Sequence, residues 1–129
     1  MQTKIEGEFD VTTIPQAPES NPDFAAVSRL LLDKRFHGPL DAVSRGQMLA
    51  MGGTGGWGVY VAMEKVEGTL EGRAGSFVLY HHGTMTAGGQ ELTVTVAPGS
   101  GTGELEGLAG RMAIDIRDGK HFYRFEYNL

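Results

Sequence analysis

FVLYHHGTM, residues 77–85, alternates apolar and polar side chains as a half-buried β-strand does, yet it sets two histidines side by side. Neighbouring residues of a strand point to opposite faces, so only one of the two can face an interior. Phe77, Leu79 and Met85, with Gly83 between them, form the more apolar set, and His81 shares their phase. His82 shares the phase of Tyr80 and Thr84. The strand reading therefore predicts His81 inside and His82 outside.

The same alternation recurs along the chain in short runs separated by Gly, Pro, Asn or Asp, and about eight strands emerge. They are KIEGEFDVTT, AVSRLLLDKRFHG, LDAVSRGQMLAM, WGVYVAMEKVEGTL, SFVLYHHGTMT, ELTVTVAP, RMAIDIRD and HFYRFEYNL. In the last run Tyr123, Phe125, Tyr127 and Leu129 share the inward face. In the others the inward sets are Ile5, Phe9 and Val11, then Leu92, Val94 and Val96, then Met112, Ile114 and Ile116. Asp118-Gly119 is the strongest hairpin signal, because both residues tolerate the positive φ of a type I′ turn. PQAPESNP, residues 15–22, reads as an exposed loop, and GELEGLAG, residues 103–110, is the place where a short helical turn fits. Antiparallel neighbours joined in this way close most simply into a barrel. The expectation is an all-β protein: one up-and-down antiparallel β-barrel of about eight strands occupying residues 1–129 as a single domain.

Composition narrows the function classes. With no cysteine among 129 residues there is no disulfide framework, no thiolate nucleophile and no Cys-type zinc site. A net charge of -5 with lysines and arginines scattered singly leaves no basic stripe for a phosphate backbone, so nucleic acid is not an expected partner. No run approaches the roughly 18 apolar residues of a membrane helix, and MQTKIEGEFDV has no signal-peptide core, so a cytoplasmic protein without a membrane partner is expected. Gly53, Gly55 and Gly58 match G-x-G-x-x-G in spacing, but the run precedes a strand and opens no helix, which removes the phosphate cradle. PGSGTGEL lacks the Lys-Ser/Thr of a phosphate loop and reads as a tight crossover. His37, His81, His82 and His121 show no ligand spacing, so neither metal nor cofactor is expected. Ser44 and Ser76 lie outside any G-x-S-x-G, and Asp33, Asp41, Glu67 and Glu71 read as solvated carboxylates rather than an aspartic dyad.

The strand from Trp57 to Val66 is apolar on both faces. If its small residues Gly58 and Ala62 face the crowded interior, Glu64 faces it too and lies near His81 across the hairpin. Glu64 and His81 are accordingly the candidate catalytic pair, a desolvated carboxylate and an imidazole suited to general acid/base work or to anchoring a polar ligand. The alternative is that they satisfy each other and only fix register. Lys34, in phase with Leu30, Leu32 and Phe36, is the third candidate polar group inside. Lys34, Phe77, Tyr123 and Phe125, with Phe9, are the expected ligand-binding wall. The second apolar face of strand 57–66 predicts a homo-oligomer.

Two segments, YVAMEKVEGTLEGRAGSFVLYHHGTM (60–85) and LTVTVAPGSGTGELEGLAGRM (92–112), resemble an uncharacterised bacterial family of small β-barrels related in fold to allene oxide cyclase. RFHGPLDAVSRGQM (35–48) and the terminal FYRFEYNL are similar to it as well. The resemblance implies a calycin-like barrel with a central cavity, often oligomeric, and leaves the cyclase reaction unimplied. Two functions are carried forward. One is binding of a small apolar or amphipathic ligand. The other is an enzyme using cavity carboxylate and histidine groups, either a self-cleaving aspartic-type peptidase or an isomerase.

Overall fold

Among the described residues eight strands run in chain order around the barrel, each antiparallel to the next. They are β1 (Thr3–Pro15), β2 (Ser28–Phe36), β3 (Leu40–Gly52), β4 (Gly58–Leu70), β5 (Arg73–Thr86), β6 (Gly89–Val96), β7 (Ala109–Arg117) and β8 (Lys120–Asn128). The computed structural model describes residues 2–129. β8 pairs back onto β1, with Ile5 opposite Phe125, so the sheet closes into a barrel. The meander expected from the alternation is therefore the observed topology.

Phase decides what fills the barrel. Ile5, Phe9, Phe36, Leu40, Val66, Leu70, Phe77, Leu79, Tyr123 and Phe125 point inward and pack into one buried cluster. Segment 97–108 folds under one end of the barrel, hereafter the base, and inserts Leu105 and Leu108 into that cluster. Its short 3-10 turn, Gly103–Leu105, stands where a helical turn was expected. The Thr102 amide donates to the Ser76 carbonyl at 2.8 Å, and the Val78 amide donates to Ser100 Oγ at 3.0 Å, so the segment is tied to β5. Tyr123 adds a stitch across the base: its hydroxyl accepts from the Leu40 amide at 3.1 Å and donates to the His37 carbonyl at 2.7 Å.

Asp118-Gly119 forms the β7–β8 hairpin with φ of 51° and 76°, as anticipated. Glu71-Gly72 makes the β4–β5 turn with φ of 47° and 83°, a conformation the residue type Glu does not advertise. Tertiary contacts supply the missing preference, because the Glu71 amide donates to the Pro39 carbonyl at 2.8 Å and its carboxylate accepts from the Tyr127 hydroxyl.

The other end, the mouth, is looser. β6 and β7 pair only at Val94 with Met112 and Thr95 with Arg111, so the strands diverge toward the mouth. Leu92 and Ile116 keep the inward phase assigned to them but are exposed there, and Leu129 is exposed just past β8. Phase sets direction, whereas burial also needs a partner layer at the same height along the barrel axis. Among the described residues no helix is long and apolar enough to cross a membrane.

Candidate functional site

Midway along the barrel the apolar packing is interrupted by four polar side chains from four consecutive strands: Lys34 of β2, Ser44 of β3, Glu64 of β4 and His81 of β5. All are buried, with exposures of 6%, 1%, 2% and 5%. Each sits in the inward phase of its strand, and Gly46 lies opposite Glu64 while Ala62 lies opposite His81. Small neighbours leave room for the polar groups to converge.

Glu64 is the hub. Lys34 Nζ donates to its Oε2 at 2.8 Å, His81 Nε2 lies 2.5 Å from the same oxygen, and Ser44 Oγ donates to Oε1 at 2.6 Å. Burial by itself would raise the Glu64 pKa. The His81 hydrogen bond and the Lys34 charge outweigh it and hold the carboxyl at about 2. An ionised carboxylate only accepts, so the proton between the two groups resides on His81 Nε2. The Lys34 ammonium also lies 5.3 Å from the Phe9 ring centre and 6.0 Å from that of Phe36, where aromatic faces offset part of its lost hydration. Among the described residues no buried side-chain nitrogen or oxygen lacks a partner.

Above this layer stands Tyr60. Its ring lies over Gly83, where a Cβ would enter the ring's van der Waals envelope, and meets His81 edge-on at 6.3 Å. Half-burial raises the Tyr60 pKa, and the negative charge on Glu64 raises it further, so the group stays a neutral phenol, a hydrogen-bond donor. Met48, Ala50, Tyr60, Met85 and Leu92 then border a concavity of about 370 Å³ at the mouth.

The expected Glu64–His81 pair is thus present, and Lys34 joins it. Phe77, Tyr123 and Phe125 lie elsewhere, in the filled base, where Phe77 and Phe125 stack at 6.0 Å with their planes 11° apart. The interior is occupied by side chains from the polar layer down to the base, and the open space lies at the mouth. Ser44 and Tyr60 complete the site without having been singled out for it. Ser44 shares phase with Leu40 and Ala42, and Tyr60 with Ala62 and Glu64, so the same alternation that located His81 contained both.

The chemistry of the cluster is restricted. Ser44 and His81 both bond to the carboxylate rather than to each other, so the serine has no imidazole base, and the carboxylate it donates to, held at about 2, is too weakly basic to activate it. Glu64 has cationic and hydroxyl partners where a dyad would need a second acid. The outer carboxylates are engaged separately: Asp33 with Arg45 at 3.8 Å, Glu67 with Lys65 at 3.3 Å, and Asp41 with Arg35. Among the described residues no three His, Cys, Asp or Glu side chains gather as a metal site requires.

Fold and site together define a class: a closed eight-stranded antiparallel barrel with a polar layer across its waist. The chain belongs to the DUF3224 family of proteins of unknown function, whose model matches residues 5–127. It is similar to a solved protein of unknown function from that family, from Shewanella oneidensis MR-1, at 45% identity and a TM-score of 0.90, covering 100% of this chain and 98% of the other. No curated protein matches.

Proposed function

We propose that the protein binds a small amphipathic ligand at the barrel mouth, with the ligand's apolar body against Met48, Met85 and Leu92 and its polar group on the Tyr60 phenol. The observation that carries this reading is the apolar concavity of about 370 Å³ floored by a neutral, half-buried phenol above a charged layer. Glu64 is 2% exposed and already accepts from Lys34, His81 and Ser44, so its role is to polarise and fix the floor rather than to touch the ligand. Tyr60 is the donor that the concavity takes from beside the polar layer. A peptidase draws no support from this arrangement, since neither a base-activated nucleophile nor a second carboxyl group stands beside Glu64, and an isomerase draws none because Glu64 and His81 lie buried beneath the concavity. A relation of fold to allene oxide cyclase belongs to the same proposal and rests on the sequence strings 60–85 and 92–112.

Titration with the amphipathic fluorophore 8-anilinonaphthalene-1-sulfonate tests the reading. Saturable binding of one dye per chain, weakened by Tyr60→Phe and abolished by Ala50→Trp, which fills the mouth, is the expected result. Binding that ignores Ala50→Trp would overturn it.

A further inference from the structure

We infer that the protein self-associates by a reciprocal exchange in which the loop 16–27 of each copy lies in an apolar groove on the outer face of the other. The inference is independent of the ligand reading. The groove runs over β3, β4 and β5 on the outside of the barrel, with a volume of about 810 Å³. Its floor is Leu49, Val61, Met63 and Tyr80, held together by direct register: Leu49 faces Val61 across one ladder, and Met63 faces Tyr80 across the next. Met63 is 68% exposed. Toward the base the same outer face turns ionic, with Arg45, Lys65 and Glu67 in local ion pairs. A solvated sheet face would continue that pattern to the mouth, whereas this one becomes apolar.

The loop is the complementary part. From residue 17 to residue 27 every side chain is exposed, and Phe24 is 66% exposed on a 3-10 turn, Pro22–Phe24. That turn is preformed: Asn21 Oδ1 accepts from the Asp23 amide at 3.0 Å, and Pro22 restricts the backbone. Phe24 is therefore presented with much of the ordering cost already met. The charges also match. The loop carries Glu19 and Asp23 and no lysine or arginine, while the groove has Arg29 at its flank and no acid.

Geometry allows both exchanges at once. The Gln16 amide donates to the Arg29 carbonyl at 2.9 Å, so the loop leaves the barrel at the groove's own border. Two copies related by a two-fold axis at that border place each loop over the other's groove. The groove floor and Phe24 together expose on the order of 600 Å² per copy, so full burial of these residues in two reciprocal contacts would cover about 1,200 Å², the lower end of the range for a specific interface.

Sedimentation velocity on the full chain from about 1 to 100 μM, a range suited to an interface of this size, tests the inference. The mass should rise from 13.8 kDa toward twice that value. Phe24→Ala and Met63→Asp, both at exposed positions, should each weaken association about tenfold or more with unchanged circular dichroism. Asp23→Arg and Arg29→Asp should each weaken it, and the two combined should recover it. A mass of 13.8 kDa throughout, a dimer indifferent to Phe24→Ala, or a charge swap no better than its single components would overturn it.

Discussion

Glu64→Gln removes the buried charge while keeping the shape of the side chain, and it leaves the Lys34 ammonium 6% exposed with no counter-ion. Breaking a buried pair in this way typically costs about 3–5 kcal/mol. The titration of Glu64 provides a second route to the magnitude. Its carboxyl is lowered from 4.5 to about 2 on folding, and at roughly 1.4 kcal/mol per unit this amounts to about 3 kcal/mol. The sign follows from the direction. A depressed folded pKa contributes stability that is complete above the unfolded value and drains away as pH falls through the folded one. Wild type should therefore exceed Glu64→Gln by about 3 kcal/mol or more at pH 7, and more than half of that gap should be gone near pH 3. Urea unfolding of both proteins at the two pH values measures it, and taking the difference cancels the surface carboxylates common to both. A gap below about 1 kcal/mol at pH 7, or one that persists undiminished at pH 3, would refute the account of Glu64 as the ionised hub.

His81→Ala should cost about 3 kcal/mol by removing one of the hub's donors, while His82→Ala on the outer face should stay within about 0.5 kcal/mol; thermal or urea melts that rank them the other way would mean the strand is inside out. Tyr123→Phe leaves the Leu40 amide and the His37 carbonyl unpaired at the base, so a loss of about 1–3 kcal/mol is expected in urea unfolding, with dye binding at the mouth unchanged.

Much of this was legible in the chain. Alternation over eight runs, with glycine- or aspartate-marked turns, leaves an antiparallel closed meander as the economical solution, since every strand needs one apolar face covered and two neighbours. The same phase put His81 beside Phe77 and Leu79 on the inner face, and it put Glu64 beside Ala62. What alternation leaves open is height along the axis. Inward phase treats Phe125 and Leu92 alike, yet one is fully buried in the base and the other is exposed at the mouth, because the divergence of β6 from β7 and the insertion of Leu105 and Leu108 occur at different ends. The strand pairing likewise decided that Lys34, Ser44, Glu64 and His81 meet at one level while Phe77 and Tyr123 do not join them. Register between distant strands is a property of the closed sheet. A local period of two carries the face of each residue, whereas the stagger of eight paired strands assigns its layer, and that layer separates a packing residue from a site residue.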